Sequence, residues 1–328
     1  MSTVGPAAAI DLNPGRGDVP RVLPPSRSRP DLAFRIVLVG SGGVVLVIIG
    51  AIALYLVKSS WRALTLSGVH FLVSDHWSPP TSFGILGDLV GSMLIAAIAL
   101  VVAVPIGLAT ALLINEYAPT WARGWLTALV DLLASVPSLV FGLWGLDALS
   151  NYVYGTTLWL SHHADAIPIF RDPSPSTYGN SIFVCGLVVG VMVLPIMTAI
   201  SRDVMAQAPR EACEAALALG GTKWGMITDV ILPFSRNGIV AAALLGFGRA
   251  MGETIAVLTI LSMNNTLWSH ILHPGGGAIG PLIANFFTSV PDRTKSALVL
   301  AGLVLFAATL VINVLGRMLV GKVGQVKT

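Results

Sequence analysis

Charge is what this chain has least of. Asp, Glu, Lys and Arg make up 11% of its 328 residues, where a soluble domain carries about a quarter. With 55% hydrophobic residues and a mean hydropathy of +0.81, a globule in water would leave far too much apolar surface exposed. The medium of this chain is lipid. Cysteine is nearly absent too: Cys185 falls in a hydrophobic run and Cys213 in a charged loop, a spacing that suggests neither a disulfide nor a metal site. There is no Walker-type lysine loop, so any ATP must be hydrolysed by another chain. No cofactor motif is visible, and no nucleophile or metal cluster faces a common site, which counts against a membrane enzyme. The net charge of +3 says little for nucleic acid.

What is present is a series of long apolar runs. Residues 1–33 are rich in Pro, Gly, Arg and Ser and lack an apolar period, which predicts a disordered tail. Phe34 to Val57 reads as a first spanning helix. It is too long for a signal-peptide core, and no small-residue cleavage site follows it. Lys58 to Phe83, with Trp61, Trp77 and Pro79-Pro80, reads as a segment skimming the membrane surface. Residues 86–319 supply five further spans, at 86–114 with a kink at Pro105, 126–149, 181–200, 239–261 and 297–319. A polar loop is expected at 150–179, a charged loop at 201–237 and a short tail at 320–328. The expected fold is an all-α integral membrane protein of six transmembrane helices with both termini on one side.

Counting Lys and Arg by loop gives that side thirteen and the opposite side five, with Arg249 left inside a span. The positive-inside rule therefore places both termini and the 201–237 loop in the cytoplasm.

That loop holds the most patterned stretch of the chain, Glu214 to Pro233, EAALALGGTKWGMITDVILP. Ala212, Ala215, Ala216 and Leu219 repeat at helical spacing and predict a short helix with a small apolar face. Gly220-Gly221 then supplies a tight turn. A second short helix is expected from Thr222 to Ile231, stopped by Pro233 after Leu232. Two short helices joined at a glycine elbow make a knob that a partner's groove can hold; an ordinary amphipathic surface loop is the plainer alternative.

Arg249 and Glu253 fall near the middle of the fifth span, four residues apart and so expected on one helix face. An Arg in hydrocarbon costs roughly 2.5–3.5 kcal/mol on insertion scales, so it must face a cavity or a partner. Either the two form a self-neutralising ion pair that holds the helix in place, or Arg249 lends charge to an anion pathway that Glu253 tunes. Guanidinium matches tetrahedral oxyanions through paired hydrogen bonds. Gly248 and Gly252 add a G-x-x-x-G spacing that predicts close packing on another span or a second subunit. In the third span Pro137 frees a carbonyl that Ser135, Ser138 or a cavity must satisfy. That reads as a kink in a packed helix or as a broken helix lining a pathway.

Several segments resemble the permeases of phosphate-specific ABC importers, in their PstC-type subunit. They are Glu116-Tyr117-Ala118-Pro119, PSLVFGLWGL from Pro137 to Leu146, LPIMTAISRDVM from Leu194 to Met205, PREACEAALALGGTKW from Pro209 to Trp224, and GFGRAMGETIAV from Gly246 to Val257. The Glu-Ala-Ala loop fixes the importer class; the Arg-x-x-x-Glu helix and GLWGL point to phosphate, and Trp144 with the sequence around Arg210 leans to the PstC type. The resemblance implies a multi-pass protein of the bacterial inner membrane, paired with a PstA-type sister permease and two ATP-binding subunits. An extracytoplasmic phosphate-binding protein would deliver the cargo, inorganic phosphate. It implies that Arg249 and Glu253 serve the substrate pathway, and that Glu214, Ala215, Ala216, Gly220, Leu232 and Pro233 belong to the loop that docks on the ATPase. Gly221, where many relatives carry alanine, is expected to loosen the elbow. A permease for sulfate or molybdate, or a proton-driven secondary transporter with Glu253 as relay, are the alternatives.

Overall fold

A computed structural model describes residues 29–79, 82–164, 166–170, 178–264 and 270–323. Of the tails expected at 1–33, as disordered, and at 320–328, residues 1–28 and 324–328 lie outside the described residues, whereas 29–33 and 320–323 are helical. All regular structure among the described residues is helical, apart from isolated bridges such as Ser78 with Ser82.

In chain order the helices are α1 (Arg29–Ser67), α2 (His70–Val73), α3 (Leu86–Leu112), α4 (Thr120–Ser135), α5 (Ser138–Trp144), α6 (Ser150–His163), α7 (Ile182–Met205), α8 (Arg210–Ala218), α9 (Lys223–Met226), α10 (Leu232–Met251), α11 (Ile255–Ile260), α12 (Ile279–Phe286) and α13 (Asp292–Val323). Among the described residues five stretches are long and apolar enough to cross a bilayer, or six if the bent pair α4 with α5–α6 counts as one broken span. The chain divides into two units. The first ends at Ile52 and contributes the apolar start of α1, whose large side chains are exposed. The second, from Ala53 onward, holds everything else.

Within the second unit α7 is the central helix, with 67% of its apolar window buried. It packs along α3, which turns Gly87, Gly91, Ala96, Ala99, Ala103, Gly107 and Ala111 inward. Small residues at helical spacing let two backbones approach closely, which is how helices associate where lipid supplies no hydrophobic drive. Val188, Val189, Met192 and Val193 of α7 fill that seam together with Ala250, Met251 and Val257. A second cluster, around Phe71, Phe83, Ile85, Leu282 and Leu298, closes the end formed by α2, α12 and the start of α13. Trp77 packs edge-on to Phe83 there, with ring centroids 5.5 Å apart, while Trp61 stays exposed.

Four expectations from the sequence are corrected. The third span is not one helix: α4 ends at Ser135, Val136 and Pro137 are extended, and the helix that resumes at Ser138 is bent by 88° from α4. Proline pushes its predecessor out of helical angles, and here nothing restores them. The segment after it, expected as a polar loop from 150, stays helical to His163 through a π-turn at Gly145–Leu149. The fifth span is broken as well. Helix α10 ends at Met251, Gly252 to Thr254 are non-helical, and α11 begins at Ile255. Finally, Pro233 does not stop the helix before it. Lys223 to Met251 is one helical stretch, because a π-turn at Ile227–Ile231 widens the backbone just ahead of the proline, which then sits in the first turn of α10.

Candidate functional site

The two broken spans break side by side. A Cβ on Gly142 of α5 would lie 3.0 Å from Cα of Ala256 and from Cβ of Thr259 on α11, and Gly145 faces Ile260. The two short helices therefore run in parallel, and counting back one turn along each brings Ser138 level with the Gly252–Thr254 break. The freed groups are satisfied locally. The Leu133 carbonyl accepts from Val136 N–H at 3.4 Å, and Ser135 Oγ donates to the Leu132 carbonyl at 2.7 Å. Ser135 thus does what was expected of Ser135 or Ser138, while Ser138 opens α5. Irregular backbone at membrane depth is tolerated where protein or a water-filled cavity surrounds it.

Arg249 and Glu253 do not share a helix face, because α10 ends between them. The Glu253 carboxylate accepts from the Ala256 backbone N–H at 3.4 Å, capping the first turn of α11. Arg249 is exposed in the last turn of α10, and its guanidinium makes no hydrogen bond or ion pair among the described residues. The ion pair, one of the two alternatives the sequence left open, is absent among the described residues. Arg249 lines a cavity of about 520 Å³ between α10 and α13, together with Gly248, Leu245, Asn313 and Arg317. The sequence alone does not single out Asn313, and Arg317 counts there only as a charge at the end of the last span. A polar residue and an arginine four apart at the end of an apolar run were the available signal. The G-x-x-x-G expectation also changes: the nearest atom to a Cβ on Gly248 would be Asn313 Nδ2 at 3.9 Å, so Gly248 widens the cavity, and Gly246 packs tightly on Val193 of α7 instead.

The charged loop forms a second centre. Gly220 has φ +85°, Gly220 N–H donates to the Leu217 carbonyl and Gly221 N–H to the Ala216 carbonyl, at 3.0 and 3.1 Å. This pair of bonds with a left-handed residue is a Schellman cap ending α8. Gly221 does not loosen the elbow; a Cβ there would meet the Ala216 carbonyl at 2.6 Å, so the turn requires both glycines. The predicted apolar face of α8 divides. Cys213 and Ala216 pack inward toward Met205, Met226 and Ile227, whereas Glu214, Ala215, Leu217 and Leu219 face outward. Leu219 is 88% exposed, and Trp224 beside it is exposed too. Leu232 and Pro233 belong to α10 rather than to the knob.

Side chains lace this loop to the neighbouring spans. Lys223 Nζ donates to the Glu116 carbonyl and lies 4.8 Å from the Tyr117 ring centroid. Thr222 Oγ1 accepts from Gly225 N–H at 3.1 Å and caps α9. Asn115 Nδ2 donates to the Arg202 carbonyl at 2.8 Å, and the Arg202 guanidinium reaches Asp203 at 2.9 Å and Thr127 of α4 at 3.1 Å. A cavity of about 280 Å³ beneath α8 is lined by Asn115, Glu116, Arg210, Cys213 and Glu214. Partial burial pushes the Cys213 thiol above its ordinary pKa, and the Glu116 and Glu214 carboxylates push it the same way.

Residues 103–325 match the family described as binding-protein-dependent transport system inner membrane component. The chain is 33% identical over 301 residues to the phosphate transport system permease protein PstC of Xylella fastidiosa, covering 89% of this chain and 91% of that one. It is 33% identical over 319 residues to PstC 2 of Mycobacterium tuberculosis, covering 95% of each. Among solved structures, a chain of a bacterial ABC transporter involved in the import of the acidic polysaccharide alginate superposes with a TM-score of 0.57 at 16% identity. That match covers 89% of this chain and 97% of the other. A chain of the MetNI methionine ABC transporter in an inward-facing conformation gives 0.53 at 14% identity, covering 75% and 99%. The structural matches show a shared fold.

Proposed function

The chain belongs to the binding-protein-dependent transport system inner membrane components, and from that premise we propose that it forms half of the translocation pathway of an ATP-driven phosphate importer. It is a multi-pass permease subunit of the inner membrane and not itself an ATPase. Its importer class makes ATP-binding and substrate-binding proteins its partners. In the arrangement we propose, a PstA-type sister permease completes the pathway and two ATP-binding subunits dock on the α8 knob. Both termini and that knob face the cytoplasm, and the binding protein delivers phosphate to the opposite face.

The observation that carries the phosphate pathway is the unpaired guanidinium of Arg249 opening into a cavity that also holds Arg317 and Asn313. Two cations and an amide with no carboxylate among the lining residues suit a tetrahedral oxyanion, which takes paired hydrogen bonds from a guanidinium fork. Glu253, engaged at the start of α11, leaves the Arg249 charge uncompensated. The neighbouring breaks at Val136–Pro137 and Gly252–Thr254 give this region short segments that can shift without unravelling whole spans. ATP binding draws the two ATPase subunits together, the knob follows, and the spans open outward to receive phosphate; hydrolysis resets them inward. The driving free energy is the difference in docking between the two states.

Uptake of labelled phosphate by cells lacking the protein and complemented with it tests the cargo. Unlabelled phosphate and arsenate should compete, while a large excess of sulfate or molybdate should not. Competition by sulfate or molybdate at concentrations similar to phosphate would assign a broader oxyanion permease. Uptake that survives ATP depletion but collapses with the proton gradient would assign a secondary transporter.

A further inference from the structure

A second cationic cavity lies at the opposite end of the spans from the α8 knob, and its residues have no part in the pathway described above. Arg62 in the last turns of α1, His70 at the start of α2 and Arg293 in the first turn of α13 line a cavity of about 320 Å³ with Ser67, Ser82 and Phe83. Among the described residues no Asp or Glu lines it. The side chains of Arg62, His70 and Arg293 make no hydrogen bond or ion pair among the described residues, and the one carboxylate beside Arg293 in the sequence, Asp292, faces Lys295 at 3.7 Å. Two guanidiniums are thus brought to one hollow without a counter-charge.

The hollow is held in place by a specific joint. Ala63 N–H donates to Ser296 Oγ at 3.2 Å, and Ser296 Oγ donates to the Ser59 carbonyl at 2.9 Å. The hydroxyl of α13 is therefore inserted into the i to i−4 ladder of α1, which fixes Arg62 and Arg293 on either side of the same joint. Ser296 is 9% exposed and Ala63 4%, so the joint is dry while the arginines above it are open.

Depth indicates what the hollow meets. Arg62 lies five residues beyond the apolar run that ends at Val57, about 7 Å along a helix. Arg293 precedes Ala297, where the apolar run of α13 begins, by four residues, about 6 Å. Both charges fall within the interfacial band, which adds roughly 5–7 Å to each side of the hydrocarbon core. Trp61, Leu64 and Leu66, in the same turns of α1 as Arg62, expose apolar side chains, and Leu66 lines the cavity.

We propose that Arg62, His70 and Arg293 form a binding site for a phosphoryl anion at the membrane interface, separate from the Arg249 cavity. Guanidinium forks bind phosphoryl oxygens in pairs, and the imidazole supplies a third donor. A lipid headgroup phosphodiester and free inorganic phosphate present this same chemistry.

The test compares wild type with the double variant Arg62→Gln/Arg293→Gln, each purified as the complex with its co-expressed partner subunits. Native mass spectrometry reads the anionic phospholipid retained, and equilibrium dialysis with labelled inorganic phosphate reads soluble binding. The site exists if the double variant loses about tenfold in one of the two, consistent with removing two charge-assisted pairs. Loss of retained lipid assigns a headgroup; loss of phosphate binding with lipid unchanged assigns the free anion. Unchanged values in both measurements overturn the proposal. Arg293→Gln alone, read the same way, decides the matter should the double variant assemble poorly, since its exposed side chain takes no part in the Ser296 joint.

Discussion

Lys223 holds Tyr117 and the carbonyl of Glu116 at once, so the loop after α8 is fastened to the π-turn Leu113–Tyr117 that continues α3 and not only to α10, into which it runs. A push on the knob therefore reaches two spans. Lys223→Met keeps the length of the side chain and removes the charge. A cation–π contact is worth about 0.5–2 kcal/mol, so the variant should keep its fold and its ATPase activity while phosphate uptake falls roughly two- to thirtyfold. ATP hydrolysed per phosphate transported is the quantity to measure; an unchanged ratio would leave the link to α3 without a role in coupling.

The elbow makes a second prediction. Gly220→Val places a β-branched residue at φ +85°, which costs on the order of 1–3 kcal/mol, and Gly221→Ala drives a methyl into the Ala216 carbonyl. Both should distort the knob locally and uncouple ATP hydrolysis from transport, with wild-type yields of the other helices by protease protection. Gly225→Ala, in the same loop but with only Thr222 Oγ1 nearby at 3.4 Å, should be close to neutral.

Cys213 reports the charge around the knob. Because burial and the carboxylates of Glu116 and Glu214 raise its pKa, less thiolate is present at neutral pH than for an ordinary cysteine. Alkylation in stripped membranes should be slow at pH 7 and accelerate above the usual thiol range. Glu214→Gln removes one cause of the rise, so at fixed pH its labelling should be faster. Equal rates at every pH would show that Glu214 does not act on the thiol. Cys185 is fully buried and should stay unlabelled throughout.

Much of this was legible in the sequence, and what was not has identifiable causes. Apolar length alone revealed the stretches around α3, α7 and α13, since a bilayer demands about 20 residues. The Gly220 turn was legible because only glycine is at ease with positive φ. The breaks were not. Pro137 announced a disturbance, but a kink and an 88° bend have the same sequence, and packing of Gly142 on Ala256 decides between them. Arg249 and Glu253 look like a helical pair at spacing four until Gly252 ends the helix, a choice settled by tertiary contacts and by the Ala256 N–H that Glu253 satisfies. Asn313 and Arg317 stayed hidden because their meaning lies in a neighbour 64 or more positions away.

That neighbourhood gives a further prediction. Asn313→Leu and Arg317→Gln should each reduce phosphate uptake roughly ten- to 150-fold, about 1.5–3 kcal/mol for a lost hydrogen bond to a charged group, without lowering the amount of assembled complex. A variant at Leu310, on the same wall but apolar, should have little effect when changed to Val. Uptake that responds to Leu310 and not to Asn313 or Arg317 would mean the cavity is a packing surface.

The most direct test of the central claim is labelled-phosphate uptake at limiting phosphate by cells that carry Arg249→Gln as their only copy, with complex assembly and ATPase activity matched to wild type. Loss of uptake by at least about tenfold is predicted, since the substitution removes the uncompensated charge and the guanidinium fork together. Uptake equal to wild type would contradict the account, leaving Arg249 a structural residue and the pathway elsewhere.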